Sequence, residues 1–368
     1  MKRKVREENL ITGDSELQKK HFTFIDLFAG IGGFHRGCAA NGGKCVFASE
    51  FEPHAQETYR VNYPDTPLYG DITLKETKDA IPKGFDVLCG GFPCQAFSNA
   101  GLKKGFEDTR GTLFNEIAQI LKARKPKVAF LENVKGLISH DSGRSITVIL
   151  HTITHMGYVC NIPQWEIDAA YDDVLDKREK SKVIAHLQEE CKSMILRSKE
   201  FGVPQSRERI YIVLWRKDLK RNGEPITHFD YPKPTFAPTR LGDILEQDSE
   251  HTDEYTITDK MWIGHQNRKA RNKAAGKGFG YSLFTKDSPY ASTISARYWK
   301  DGSEILIDQR HLGKNPRTLT PREAARLQGY DDSFILNQSE KEAYKQAGNS
   351  VSVPVIQAVA KAIKEQLL

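Results

Sequence analysis

Six apolar, β-branched runs recur along the chain, and their rhythm limits the possible folds more than any other feature. They lie near 22–28 (FTFIDLF), 44–50 (KCVFASE), 85–91 (FDVLCGG), 127–134 (KVAFLENV), 157–162 (GYVCNI) and 208–215 (ERIYIVLW). Helical patterns separate several of them, as at 111–124 and 144–156. Strand and helix alternating in this way predict an α/β fold with a parallel, doubly wound sheet. Such sheets bind ligands beyond the carboxyl ends of their strands, so the chemistry is sought there.

A chain of 368 residues exceeds the roughly 150 expected of one domain, and two are predicted. Residues 1–20 form a polar, basic tail without the apolar core of a signal peptide. The first domain is read over 21–219. Within it, about 168–198 is dense in charge, with Val183, Leu187 and Met194 at helical spacing, and reads as a charged helical insert on the surface. Residues 220–316 are richer in Pro, Gly and charge, and predict a smaller, irregular, mostly β domain. Residues 317–368 regain a helical pattern and are read as a hinge and a return to the first domain. No run reaches the ~18 apolar residues of a membrane helix, so a cytoplasmic protein is expected. Hydrophobic residues at 39%, charged residues at 28% and a mean hydropathy of −0.54 exclude a disordered or collagen-like chain. Six cysteines without a CxxC pair predict neither a disulfide framework nor a zinc site.

The first run enters a glycine turn, FIDLFAGIGGF, Phe24 to Phe34. Glycines there let the backbone approach a cofactor. A dinucleotide fingerprint would place a third glycine where His35 stands, so the fit to a nicotinamide cofactor is poor. Glu50 ends the second run and is placed to take two ribose hydroxyls. Phe51 is placed to stack on an adenine, and Asp71 in YGDI to accept from its amino group. In this order they suggest an adenosine-type cofactor without a pyrophosphate. GGFPCQAFS, Gly90 to Ser98, sets Cys94 after a proline at the end of an apolar strand, a context that favours a nucleophile. ENV brings Glu132 to the same sheet edge, and QSRER brings Arg207 and Arg209 beside it.

The net charge of +6, with a pI near 8.8, is compatible with nucleic acid. Lys260 to Lys286 carries seven Lys or Arg and no acid, interleaved with Trp262, Phe279, Tyr281 and Phe284. Composition leaves two readings open, a solvated lysine-rich region and a DNA-facing module.

FIDLFAGIGGF, GGFPCQAFS, ENV, QSRER, RTLTPREAARLQGY and GNSV, in that order over residues 24 to 351, resemble the motifs of the cytosine-5 DNA methyltransferases of bacterial restriction–modification systems. The resemblance implies a Rossmann-like, S-adenosylmethionine-dependent sheet with a target-recognition domain, acting as a monomer on double-stranded DNA. It makes Cys94 the nucleophile at cytosine carbon-6 and Glu132 the carboxyl that stabilises the ring. Arg207 would meet the ring carbonyl, and Arg209 would support the thiolate or orient Glu132. Phe28, the turn Ala29, Gly30, Gly32 and Gly33, then Glu50, Phe51, Asp71, Ile72, Leu113, Asn349 and Ser350 would hold S-adenosylmethionine, which leaves as S-adenosylhomocysteine. The target cytosine must be flipped out of the duplex, and a loop from Ser98 to Phe106 would close over it.

Residues 260–310 resemble the recognition regions of members that methylate an inner cytosine in CCGG, CCWGG or CCNGG. Lys277, Arg297, Tyr298 and Lys300 are the expected DNA contacts there, with Arg297 at a guanine edge and the two lysines on phosphate. Three rivals explain less. A tRNA methyltransferase of the same fold would carry a CFT-x-x-Y signature, which the chain lacks. A silent DNA-binding relative would lack the nucleophile or the turn. A nicotinamide oxidoreductase leaves PCQ, ENV and QSRER unexplained.

Overall fold

The computed structural model describes residues 21–93, 112–172, 174–235 and 237–368. Eight strands form its central sheet: β1 (Phe22–Leu27), β2 (Gly43–Ser49), β3 (Leu68–Tyr69), β4 (Val87–Gly91), β5 (Val128–Val134), β6 (Tyr158–Val159), β7 (Ile195–Arg197) and β8 (Glu208–Arg216). Their order is β3-β2-β1-β4-β5-β8-β6, with β7 also paired to β8. The first five are mutually parallel. β8 runs against β5, β6 and β7, so the sheet is mixed rather than wholly parallel as expected. The cause is local. β7 turns back through a short 3-10 segment, Ser198–Phe201, and a hairpin connection returns the chain antiparallel.

Helices α1 (Gly33–Ala39), α2 (Pro53–Asn62), α3 (Lys75–Asp79), α4 (Leu113–Arg124), α5 (Arg144–Thr154), α6 (Gln164–Tyr171) and α7 (Lys177–Glu190) accompany the sheet. Their starts follow from sequence: Pro53 opens α2 behind Glu52, whose carboxylate accepts from Ala55 N at 2.9 Å, and Asp176 accepts from the amides of Arg178 and Glu179 to open α7. The stretch read as a surface insert is more than an excursion. Leu187, Cys191 and Met194 lie at spacings of four and three, and all three are buried in the main core. Its end, Ile195–Arg197, is the strand β7.

Beyond the sheet come β9 (Lys220–Arg221), β10 (Glu224–Pro225), α8 (Glu250–Asp253), α9 (Asp259–Ala274), β11 (Leu283–Phe284) and β12 (Leu306–Ile307), then α10 (Pro321–Arg326), α11 (Glu340–Asn349) and α12 (Val353–Leu367). The smaller unit is irregular but not mostly β. Each of its strands has two residues, and its longest element is the sixteen-residue α9. That helix is polar almost all round, with only His265 buried, which hid it from a search for apolar periodicity. The side chain of Thr258 caps it, and Arg271 and Lys273 face its carbonyl end.

Two main cores result. One takes the sheet and its helices, includes Phe229 and Tyr231 at its margin, and resumes at Val351 with α12. The other gathers Leu241, Ile294, Tyr298, Leu319, Leu327, Tyr344 and Ala347, so α10 and α11 pack with the smaller unit before the chain returns. A small cluster of Ile31, Ala325, Tyr330, Phe334 and Val353 joins them. α12 lies directly on α1. A Cβ at Gly37 would stand 2.6 Å from Ile356 Cγ2, so glycine is what permits this approach. Among the described residues no helix is long and apolar enough to cross a membrane.

Candidate active site

A cleft of about 400 Å³ opens where β1, β2, β4 and β5 end. The antiparallel course of β8 makes its amino end meet their carboxyl ends. Arg209 therefore pairs in register with Val134, and Tyr211 with Glu132. On the other side Gly91 pairs with Glu132. Asn133 Nδ2 donates to Phe92 O at 2.8 Å and pins the chain just before Pro93, which lines the cleft. Cys94 and Ser98, and the loop to Phe106, lie outside the described residues.

Glu132 is buried, and Arg209 Nε stands 3.1 Å from its Oε1. Burial pushes the carboxyl above its usual range, while Arg209 and Arg207 pull it back. The net effect of burial against the two arginines is a raised pKa for an acid that lines the cleft. Arg207 is buried too, and burial together with Arg209 lowers it to about 10. Its Nη2 donates to Ser350 O at 2.6 Å and Gly348 O at 3.3 Å, and its Nη1 to Ile294 O at 3.4 Å. These bonds tie the sheet edge to both the GNSV segment and the smaller unit. Its Nε is buried and has no partner among the described residues.

The glycine turn runs from β1 into α1 along the cleft. Phe28 takes φ +56°, a region side chains rarely adopt, and Gly30 and Gly32 take +55° and +86°. A Cβ at Gly30 would meet nothing within 4 Å, so the backbone there faces open space. Glu50 accepts Gly30 N at 2.8 Å on one oxygen and Glu52 N at 2.9 Å on the other. Phe28, Gly30, Glu50, Glu132, Arg207, Arg209, Asn349 and Ser350 line this one cleft. Ala29, Gly32 and Gly33 are buried behind it. Phe51 is 73% exposed beside it. Asp71, buried Ile72 and half-buried Leu113 are not in its lining.

The family model of the C-5 cytosine-specific DNA methylases matches residues 22–365. The chain belongs to that family. It is 51% identical over 346 residues to the type II methyltransferase M.SsoII of Shigella sonnei, covering 93% of this chain and 80% of that one. It is 42% identical over 363 residues to the type II methyltransferase M.HpaII of Haemophilus parainfluenzae, covering 95% and 91%. In fold it is similar to the Dnmt2 methyltransferase of S. pombe, with a TM-score of 0.65 at 19% identity over 94% of this methylase and 99% of that chain.

The methylase's smaller unit corrects one expected DNA contact. Tyr298 is 1% exposed, donates to Ile305 O at 2.6 Å and accepts from Leu319 N at 2.8 Å, so it is a core residue. Its exposed neighbours differ. Arg297 is exposed, with no carboxylate partner among the described residues, and Lys300 is exposed with its ammonium 5.4 Å from the Trp299 ring. Lys277 is exposed just beyond α9.

The cleft of the methylase also holds residues that motif reading passed over. Lys345 and Gln346 line it from α11, four and three positions before Asn349, on the same helix face. Helical spacing counted back from GNSV would have found them. Gln346 Nε2 donates to His54 O at 2.9 Å, and its Oε1 accepts from Thr58 at 3.0 Å, which fastens α11 to α2.

Proposed function

We propose that this methylase forms a bond from Cys94 to carbon-6 of a cytosine flipped out of duplex DNA and methylates carbon-5. One observation carries the reading. A buried acid with a raised pKa, Glu132, sits between two arginines at the mouth of the strand that leads through Pro93 to Cys94. The other thiols support it by contrast. Burial pushes those of Cys45, Cys89, Cys160 and Cys191 upward, Cys160 to about 11, which leaves them poor nucleophiles.

The thiolate of Cys94 adds to carbon-6, and the displaced ring electrons move towards the third nitrogen. Glu132 gives that nitrogen a proton, so carbon-5 becomes the nucleophilic end of an enamine. Arg207, in the cleft lining, would meet the adjacent carbonyl oxygen, and Arg209 holds Glu132 in place. S-adenosylmethionine, when bound, supplies the electrophilic methyl group. The carbon-5 proton then leaves to a base, the carbon–sulfur bond breaks, the proton returns to Glu132, and the Cys94 thiolate is restored. The cleft suits such a cofactor. Its volume falls in the ordinary range for ligand pockets. Each oxygen of Glu50 takes one backbone amide and keeps a lone pair for a ribose hydroxyl, and the backbone at Gly30 faces open space. Asn349 and Ser350 are available to its methionine end, and Phe51, Asp71, Ile72 and Leu113 to its adenine side.

The target has a CC…GG frame of the CCGG, CCWGG or CCNGG type, read through Arg297, with Lys277 and Lys300 on phosphate. The type II methyltransferases to which the chain is similar support a role in protecting DNA from a cognate endonuclease. Bisulfite sequencing of plasmid DNA from cells expressing the chain tests the target, and methylation only at sites outside that frame refutes it. DNA carrying 5-fluorocytosine at the target should trap a covalent adduct that maps to Cys94. Cys94→Ser should abolish turnover while DNA binding persists, because a hydroxyl is a far weaker nucleophile at neutral pH.

A further inference from the structure

The geometry points to a second site, a binding site for a borderline divalent cation such as Zn²⁺, formed by His151, His155 and Asp168. His151 lies in the last turn of α5 and His155, four positions on, is its C-terminal cap and keeps helical backbone angles, so the two rings share one face, and Asp168 faces them from α6. His155 Nε2 is 2.9 Å from Asp168 Oδ1, and His151 Nε2 is 3.6 Å from the same oxygen. One ligand atom from each residue falls within 4.8 Å of the other two. Ligands bound tetrahedrally to zinc at ordinary lengths lie about 3.4 Å apart, between the two measured separations. Small side-chain adjustments therefore close the triangle.

The surroundings are those of a held site. The His151 ring stacks on Tyr171 with centroids 3.7 Å apart and planes 9° from parallel, which fixes its direction. Gln164 Nε2 donates to Asp168 Oδ1 at 2.7 Å and steadies the carboxylate, as partners behind metal ligands do. The side chain of His151 is 10% exposed, that of Asp168 33% and that of His155 54%. One wall is thus packed, and the opposite side is open to water for a fourth ligand. Two imidazoles and one carboxylate suit zinc-like ions and disfavour magnesium and calcium, which want oxygen ligands. α5 runs back from the cleft edge towards β6, so its last turn lies at the sheet's opposite edge. The ion would cross-link α5 to α6 without touching the methylation chemistry.

The full chain, stripped with a chelator and dialysed, is titrated with Co²⁺ and then Zn²⁺. We expect visible ligand-field absorption of tetrahedral cobalt without thiolate charge transfer, lost on adding Zn²⁺. His155→Ala and Asp168→Asn should each weaken binding at least tenfold, with DNA methylation and the circular dichroism spectrum unchanged. Both positions are at least partly exposed, so the variants should fold. No ligand-field signal, a thiolate band, or equal binding in both variants would each overturn the site.

Discussion

Glu132 shows how a single side chain is tuned by what surrounds it. Burial favours its neutral form and the two arginines favour its charged form, and burial prevails, so its pKa lies above the usual carboxylate range. If it donates its proton to the ring, Glu132→Gln should lower the single-turnover rate by roughly 10²–10⁴-fold. The dissociation constant for S-adenosylmethionine should move by no more than about threefold, because on the proposed reading the carboxyl serves the base and not the cofactor. Rapid-quench methylation and calorimetric titration measure the two quantities. A large loss of cofactor affinity with an unchanged chemical rate would give Glu132 a different task. The chemical residue types were legible in the sequence, since Glu132, Arg207 and Arg209 sit in short fixed motifs. What Arg207 bonds to was not, because its acceptors lie 87 to 143 positions away.

At the scale of elements, strands set in longer apolar, β-branched runs were visible in advance, including the two-residue β6 within 157–162, and the two-residue β3 and three-residue β7 were not. Neither of those two has such a run around it from which a period could be read. Strand direction was equally hidden, since β8 looks like its parallel neighbours until the hairpin with β7 is seen. The start of α10 was written more openly. Thr320 and Glu323 form a capping box around Pro321, and the same glutamate pairs with Arg317 through two 2.8 Å bonds. Both side chains are buried, and Glu323 also accepts from Glu246 N at 2.7 Å. Glu323→Leu would leave the Arg317 guanidinium buried without its partner. Stability should fall by about 3–5 kcal/mol, read as a lower midpoint in urea or on heating. A variant as stable as the parent would show that the pair is relieved by water.

For the whole molecule, composition changes after Trp215, but the cores do not divide there: Phe229 belongs with the sheet. The second core reaches Ala347 because α10 and α11 present apolar faces to it, a matter of packing that composition does not encode. If the smaller unit reads DNA as proposed, its exposed cations should separate in kind. Arg297→Ala should cost roughly 1–3 kcal/mol of discrimination at one guanine. Lys300→Ala should weaken all sequences alike and reduce the slope of log affinity against log salt by about one. Binding isotherms on matched and mismatched duplexes at several salt concentrations distinguish the two, and a sequence-specific effect at Lys300 would reverse the assignment.

The seating of α12 on α1 also sets a clock. A ribosome completes α1 early and begins α12 only at Val353, so the α1 face around Gly37 waits for its cover. At ordinary synthesis rates of 5–20 residues per second, that wait is roughly 15–60 s. Throughout it the nascent sheet lacks the side chains of Val355, Ile356, Val359 and Ile363 that complete its core. Ribosome-bound chains stalled before Val353 should therefore be cut readily by protease within the sheet region. Chains stalled late enough to expose all of α12 should resist. A cell making this protein would then gain no methylation from unfinished copies, and resistance already present in the shorter chains would show that the sheet closes without its last helix.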